Sequence, residues 1–208
     1  MLIVLATGNK GKIKELKEIL SGATNDRTEI VVISSKEAGC VSNPEENGNT
    51  FEENAFIKAE EILVELLGKP EYKDREDLIV MADDSGLCVD ALNGCPGIHS
   101  AYYAGDNATD CENVKKLLDE LSGVPENVRQ AKFVCAAVAL YRDGRRFSET
   151  GEVHGVILTE PVGENGFGYD PIFFNKEFNK SFAELTDDEK NSISHRGRAF
   201  RELCMKLC

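Results

Sequence analysis

Groups suited to binding an anion are concentrated near the start of the sequence. A polar block follows the first apolar run and opens the first helical pattern. Backbone N–H groups left free at a helix start, with the positive end of the helix dipole, favour an anion there. The block consists of Thr7, Gly8, Asn9, Lys10, Gly11 and Lys12, and Lys14 and Lys17 add further cations. A solvated helix face after a turn is the alternative, because the Walker pattern G-x-x-x-x-G-K-S/T is absent.

Two adjacent carboxylates, Asp83 and Asp84, follow the apolar run Leu78–Ala82. We expect the strand to end there in a turn, the position at which open α/β sheets usually build their sites. Successive strand residues point to opposite faces, so only the inward acid is expected to bind metal or act as a base. An Asp-Ser-Gly turn capped by its own side chains is the alternative. Ser85 as a nucleophile is a weaker interpretation, because G-x-S-x-G is not matched.

An acidic loop, Pro44–Gly48, precedes the second helical pattern and carries Glu45 and Glu46. Carboxylates are the hard oxygen donors that Mg²⁺ prefers, since this ion takes few protein ligands and completes its shell with water and phosphate oxygens. An exposed acidic loop without a ligand is the alternative interpretation. The loop therefore supports a metal site only in combination with other residues.

Two later segments carry groups suited to a flat, polar ligand. The glycine-aromatic loop Gly163–Pro171 allows a bent backbone with rings that can lie against a base, although a structural glycine loop is the alternative. Its glycine spacing is not that of a Rossmann fingerprint. Near the end of the chain, Lys190, His195 and Arg196 supply donors for a phosphate or a carbonyl oxygen, although such a pair as His195 and Arg196 is often ordinary surface. We expect His195 and Arg196 to precede the terminal helix.

Hydrophobic periodicity predicts the elements that must position these residues. Apolar runs with helical patterns between them give a β-α-β-α-β opening, and these runs are Leu2–Ala6, Ile30–Ile33 and Leu78–Ala82. Capping boxes at Thr109 and Thr186 predict two further helices, and Asp143-Gly144 after Phe133–Tyr141 predicts a hairpin. We therefore expect an α/β fold with a mixed central sheet flanked by helices, in which residues 1–208 form one domain with two lobes around a cleft.

Composition narrows the classes of partner. A chain of 208 residues with 41% hydrophobic residues fits one large globular domain. No apolar run approaches the roughly 20 residues of a membrane helix, so the cytoplasm is the expected compartment. The net charge of -13 disfavours nucleic acid and anionic membranes as partners, whereas locally clustered lysines still allow a small anion. The seven cysteines contain no C-x-x-C pair and are expected to be reduced, and a Cys204–Cys208 disulfide is disfavoured in a helix.

Six segments in order resemble the inosine triphosphatase-like family, the noncanonical purine nucleoside triphosphate pyrophosphatases. The resemblance covers nearly the whole chain and rests on Thr7–Lys12, Thr50–Ala55, Ala82–Leu87, Pro96–Ala101, Gly166–Pro171 and Ser194–Arg196. It implies an Mg²⁺-dependent hydrolase of acid anhydrides that converts ITP, dITP or XTP to the monophosphate and pyrophosphate. It also implies a cytoplasmic homodimer with a purine nucleoside triphosphate as its small-molecule partner.

The same resemblance implies roles for individual residues. Thr7 through Lys12 would hold the triphosphate, Asp84 would ligate the metal or act as the base, and Ser85 would touch the substrate. Glu45 matches a metal ligand of the family, with Glu46 as the alternative, and Lys58 matches a substrate-contacting lysine. The nucleoside and base pocket would be formed by Phe167, Gly168, Tyr169, Asp170, Lys190, His195 and Arg196.

A hydrogen-bond acceptor at position 6 of the base can distinguish deaminated purines from adenine. A 6-oxo purine presents an oxygen where adenine presents an amino group, so donors such as Arg196 are expected to favour the former. Two other functions stay open at this point: a pyrophosphatase for other modified nucleotides, and a nucleotide-binding regulator with little turnover. A phosphotransferase is disfavoured by the missing Walker lysine-serine pair.

Overall fold

A computed structural model describes residues 1–23 and 30–207. Cys208, and with it the Cys204–Cys208 pairing, lies outside the described residues. The strands are β1 (Leu2–Leu5), β2 (Val31–Ser34), β3 (Leu78–Val89), β4 (Gln130–Tyr141), β5 (Arg146–Ile157), β6 (Phe173–Asn175) and β7 (Lys180–Ser181). The α-helices are α1 (Lys10–Ala23), α2 (Phe51–Leu67), α3 (Pro70–Lys73), α4 (Asp110–Glu120), α5 (Asp187–Ile193) and α6 (His195–Leu207). Short 3-10 helices cover Asp90–Leu92, Gly97–Tyr102, Glu126–Val128, Asp170–Ile172 and Phe182–Glu184.

The seven strands form a sheet in the order β2-β1-β3-β4-β5-β6-β7. Strand β1 runs parallel to both β2 and β3, as crossover helices require. Strand β6 runs antiparallel to both β5 and β7. The predicted mixed α/β fold is therefore confirmed.

The described chain divides into two compact units. Unit 1 comprises the described residues within Met1–Asp84, Cys135–Gly151 and Arg196–Cys208, and unit 2 comprises Ser85–Val134 and Glu152–His195. Strands β3, β4 and β5 each contribute residues to both units. His195 and Arg196, which are adjacent in sequence and both predicted to bind the base, thus belong to different units.

Unit 1 is layered, with helices on both faces of its strands. Alternate residues of β1 enter two separate apolar clusters: Ile3 and Leu5 pack with side chains of α1 and α6, whereas Leu2 and Val4 pack with side chains of α2. This follows from the two-residue period of a strand, which is apolar on both faces when both are covered. The buried strands of unit 1 are therefore continuously apolar, as their sequences predict.

Unit 2 is built around an apolar cluster that contains several aromatic rings. It brings together Phe133 of β4, Phe173 of β6 and Phe182, together with aliphatic residues of β3 and α4. Helices α4 and α5 both begin with the predicted capping boxes, in which Thr109 pairs with Glu112 and Thr186 pairs with Glu189. Local sequence thus sets where these helices start.

Two boundaries differ from the sequence-based expectation. The predicted turn at Asp83–Gly86 is wrong, because β3 continues without interruption to Val89. His195 and Arg196 do not precede the terminal helix but form its first turn. Within residues 1–23 and 30–207, no helix combines the length and apolarity that crossing a membrane requires.

Candidate active site

Strand β3 separates its two acids onto opposite faces of unit 1. Asp83 continues the row of Ile79 and Met81, which pack with α1 and α6, whereas Asp84 continues the row of Val80, which packs with α2. Because side chains alternate along a strand, each acid meets a different set of helices. The prediction that the two acids have different surroundings is confirmed.

The Asp83 cluster consists of Asp83, Lys12, Arg196 and Glu15. Lys12 Nζ donates to Asp83 Oδ2 at 2.9 Å, and Arg196 Nε donates to the same oxygen at 3.3 Å. Arg196 Nη1 donates to Glu15 Oε2, and both Asp83 and Arg196 are almost fully buried. Burial disfavours the charged guanidinium, but the charges of Glu15 and Asp83 outweigh it and raise the pKa of Arg196. One oxygen of Asp83 is thereby bonded to two cationic side chains.

The Asp84 cluster consists of Asp84, Lys58, Glu46 and Asn54. Asn54 Nδ2 donates to Asp84 Oδ2 at 3.1 Å, and Lys58 Nζ donates to Asp84 Oδ1 at 3.4 Å and to Glu46 Oε2 at 2.7 Å. Burial raises the pKa of Asp84, and the Glu46 charge adds to this while Lys58 opposes it. A carboxylate whose pKa is raised above its ordinary value is better suited to accept a proton from water.

Lys58 stays charged although it is buried. Burial disfavours its ammonium, but the carboxylates of Asp84, Glu46 and Asp83 outweigh that cost and raise the pKa of Lys58. Two carboxylates, Asp84 and Glu46, thus converge within 3.5 Å of one cationic group. These two carboxylates can bind a second cation beside the Lys58 ammonium, or bind a cation in place of that ammonium.

The donor set of the Asp84 cluster fits Mg²⁺. Carboxylate oxygens of Asp84 and Glu46 are the hard ligands that this ion prefers, and Mg²⁺ normally takes only one or two carboxylates from the protein. The described ranges contain no group of three or more histidine, cysteine, aspartate or glutamate residues arranged to hold a metal ion. Both predicted glutamates are exposed in the loop, and Glu46 is the one whose carboxylate contacts Lys58.

The polar block Thr7–Lys12 leads into α1 and forms its first residues, and much of it is exposed. Asn9 Oδ1 accepts a hydrogen bond from Lys12 N at 3.1 Å, and Thr7 Oγ1 accepts from Asn9 N at 3.2 Å. A Cβ placed on Gly8 would meet nothing within 4 Å, so the backbone there faces open space. Lys17 does not join the predicted group of cations, because its ammonium pairs with Glu37. The cationic group at this site is therefore smaller than the spacing predicts.

The glycine-aromatic loop of unit 2 is held in place by its own acid. Asp170 Oδ2 accepts from Phe167 N at 2.9 Å and from Lys190 Nζ at 2.7 Å. Gly166 has a φ of +76°, and a Cβ there would lie 2.2 Å from Asp170 Oδ2, so the turn requires glycine. Lys190 Nζ lies 4.7 Å from the ring centroid of Phe167.

Tyr169 and Gly168 complete the same loop. The Tyr169 hydroxyl donates to Ser100 O at 2.9 Å, and burial raises the pKa of this phenol. Gly168 N donates to Asp110 Oδ2 at 2.8 Å. Tyr169 and Asp170 are buried whereas Phe167 is partly exposed, so Phe167 presents the loop's available aromatic surface.

His195 lies in the aromatic cluster of unit 2. Its ring is 4.8 Å from that of Phe133, centroid to centroid, with 11° between the two planes. Phe133 in turn contacts Phe173 at 4.6 Å and Phe182 at 5.9 Å. The donors predicted near the end of the chain are thus divided between the units. His195 lies among the rings of unit 2, and Arg196 lies in the Asp83 cluster of unit 1.

Sequence reasoning missed two residues of these clusters, Asn54 and Glu15. Both are buried polar side chains, Asn54 on α2 and Glu15 on α1. Asn54 stands four residues before Lys58, a spacing that places both on one helix face and could have signalled its role. Ser85, predicted to touch the substrate, follows Asp84 in β3 and is partly buried.

Comparison with known proteins decides the family. Residues 3–206 match the sequence model of the Ham1 family. The chain belongs to the Ham1 family. This Ham1-family chain is 50% identical over 200 residues to the dITP/XTP pyrophosphatase of Clostridium perfringens, a match that covers 96% of the chain and 94% of that relative. It is 44% identical over 204 residues to the dITP/XTP pyrophosphatase of Bacillus subtilis, which covers 98% of the chain and 96% of the relative.

Solved structures of the Ham1 family agree with this assignment. The Staphylococcus aureus Ham1 protein superposes with a TM-score of 0.80 at 40% identity, covering 100% of this chain and 98% of that one. A HAM1 protein from Coxiella burnetii gives a TM-score of 0.81 at 39% identity with the same coverage. The resemblance predicted from six short segments is confirmed over the whole chain.

Proposed function

We propose that this chain hydrolyses noncanonical purine nucleoside triphosphates, namely ITP, dITP and XTP, to the monophosphate and pyrophosphate. The observation that carries the proposal is the Asp84 cluster, in which a buried acid with a raised pKa lies beside Lys58 and Glu46. The dITP/XTP pyrophosphatases that match at 44–50% identity supply the substrate class. Removal of deaminated purines from the nucleotide pool follows from that activity.

The residues of unit 1 divide the reaction between them. Asp84 orients a water molecule for attack on the α-phosphorus and accepts its proton. Lys12 and backbone N–H groups at the start of α1 bind the polyphosphate oxygens, on which negative charge increases in the transition state. Lys58 holds Asp84 and Glu46 in place and adds positive charge beside the reacting group.

Asp84 and Glu46 are the residues that would hold Mg²⁺, and Glu46 is preferred to Glu45 because its carboxylate shares Lys58 with Asp84. When bound, the ion neutralises phosphate oxygens and lowers the pKa of water. Metal binding at this cluster also relieves the repulsion between two carboxylates in a buried site.

The purine base is assigned to the residues predicted for it. In unit 2 these are Phe167 to Asp170, Lys190 and His195, and the partly exposed ring of Phe167 offers a stacking surface. That Arg196 donates to the 6-oxo group stays a sequence-based prediction, since its guanidinium is buried between Glu15 and Asp83. One domain over residues 1–208, a homodimer and a cytoplasmic location belong to the same proposal and follow from the resemblance.

Product identification tests the proposal directly. The full chain is incubated with Mg²⁺ and each of dITP, XTP, ITP, ATP and GTP, and pyrophosphate and orthophosphate are quantified separately. We expect pyrophosphate from the deaminated purines, with discrimination of roughly tenfold to hundredfold against ATP from one unpaired buried donor. Orthophosphate as the product would mean that the wrong bond is assigned. Tight binding of dITP without turnover would favour the nucleotide-binding regulator, and equal turnover of all five would favour a general pyrophosphatase.

A further inference from the structure

Asn54 joins the acidic loop to Asp84 through the two ends of one side-chain amide. Its Oδ1 accepts a hydrogen bond from Gly48 N at 2.8 Å, and its Nδ2 donates to Asp84 Oδ2 at 3.1 Å. A backbone N–H can only donate, so the atom that faces Gly48 is the amide oxygen, and the nitrogen then faces the carboxylate. With only 1% of Asn54 exposed, water does not substitute for either bond.

The same helix makes this connection twice. Lys58 lies one turn after Asn54 on α2, on the same face, and it also contacts the acidic loop, through Glu46, and strand β3, through Asp84. Lys58 uses its charge, which a bound cation opposes, whereas the Asn54 amide is neutral and its hydrogen bonds are compatible with a cation nearby. Asn54 is therefore the contact able to persist when a divalent ion is present.

The loop approaches α2 so closely that it has no room for a side chain at Gly48. A Cβ placed there would lie 2.8 Å from Asn54 Oδ1 and 2.7 Å from Glu53 Cβ. The next residue is also fastened to the helix, since Asn49 N donates to Glu53 Oε2 at 2.7 Å. The end of the acidic loop is thus fixed to the first turn of α2, two residues after Glu46.

We infer that Asn54 is a positioning residue that holds the acidic loop against Asp84 and thereby sets the affinity of the Asp84 cluster for a divalent cation. The inference rests on the proposed function in one respect, which is the assignment of Asp84 and Glu46 as ligands of that cation. Groups that orient metal ligands typically change the affinity by about 10- to 100-fold when they are removed. Asn54 acts through its two partners and does not itself bind the ion.

Mn²⁺ binding measured by electron paramagnetic resonance tests the inference without relying on turnover. The variants are Asn54→Ala and Asn54→Leu, which remove both hydrogen bonds with and without a loss of volume. The matched control is Asn113→Ala. Asn113 is likewise buried on a helix, and it fastens a loop by accepting from Ala104 N at 2.8 Å and donating to Ala101 O at 3.1 Å.

We expect both Asn54 variants to bind Mn²⁺ at least tenfold more weakly than wild type, and Asn113→Ala to bind within twofold. Amide hydrogen exchange of residues 43–50 should accelerate in the Asn54 variants only. A Mn²⁺ affinity that is unchanged in the Asn54 variants, or equally reduced in Asn113→Ala, would overturn the inference. Failure of the wild type to bind Mn²⁺ would also overturn it.

Gly48→Ala provides a second variant that attacks the same contact from the exposed loop, in case the buried substitutions prevent folding. We expect the added methyl group to push the loop from Asn54 and to weaken Mn²⁺ binding, whereas Asn47→Ala, an exposed neighbour, should not. Assays of dITP hydrolysis on the same samples separate the two proposals. If the Asn54 variants lose Mn²⁺ binding but the wild type does not hydrolyse dITP, only the proposed function is refuted. If the wild type hydrolyses dITP and the Asn54 variants match it in both hydrolysis and Mn²⁺ binding, only the positioning role is refuted.

Discussion

Unit 1 and unit 2 bury charged side chains in different ways. Unit 1 places Asp83 and Asp84 on opposite faces of one strand and surrounds each with cations and further acids. Unit 2 buries the pair of Asp170 and Lys190, and this acid also fastens the backbone of its own loop. It also buries Arg129, whose guanidinium donates to backbone carbonyl oxygens. Concentrated buried charge is costly to maintain, so its presence in unit 1 points to chemistry with charged groups. In unit 2 the pair serves mainly to shape a loop.

The largest expected difference between the units is in the chemical step. Asp84→Asn removes the proposed base, so we expect kcat for pyrophosphate release from dITP to fall by about 10²- to 10⁴-fold. Asp170→Asn disturbs the glycine-aromatic loop and is expected to raise KM with a smaller change in kcat. Steady-state kinetics with pyrophosphate detection measures both, with the exposed turn residue Asp143→Asn as control. Equal losses of kcat from the two buried acids would remove the distinction between the units.

The next difference concerns stability. Arg196→Met leaves both Glu15 and Asp83 buried without the guanidinium between them, a loss that we place at about 3–5 kcal/mol. Lys190→Met leaves Asp170 with its hydrogen bond from Phe167 N, so about 1–3 kcal/mol is expected. Urea denaturation of each variant at neutral pH provides the comparison.

A surface variant calibrates that measurement. Arg145 pairs with Asp143 where both side chains are more than half exposed, so Arg145→Met should cost less than about 1 kcal/mol. If Arg196→Met were no more destabilising than Lys190→Met, the charged groups of the Asp83 cluster would depend on one another no more than Asp170 and Lys190 do.

Sequence periodicity predicted most of the fold but not the length of β3. The apolar runs and capping boxes are local signals, and the elements that they predict are present. The segment Asp83–Gly86 contains residues that are poor strand formers, so local preference favours a turn. In the structure, distant partners such as Lys12 and Asn54 neutralise or bond these acids, and tertiary contacts override the local preference.

The site was predictable as a set of residues but not as two clusters. Strand alternation alone separates Asp83 from Asp84. It does not say that Arg196 joins the first while Lys58 joins the second, because those contacts depend on which helix covers which face. The choice between Glu45 and Glu46 likewise depends on how the loop is fastened to α2, which no local pattern contains.

The smallest expected difference concerns orientation within the aromatic cluster of unit 2. Phe133→Leu keeps the site apolar but removes the ring that stacks on His195, and such ring pairs contribute about 0.5–1.5 kcal/mol beyond their buried area. We therefore expect KM for dITP to rise roughly two- to tenfold while kcat changes less, because His195 is assigned to base binding and not to the chemical step. Phe147→Leu is the matched control, since Phe147 makes its ring contact with Tyr141 in unit 1. A fall in kcat with KM unchanged would place His195 with the reacting groups and contradict the division between a unit that reacts and a unit that recognises.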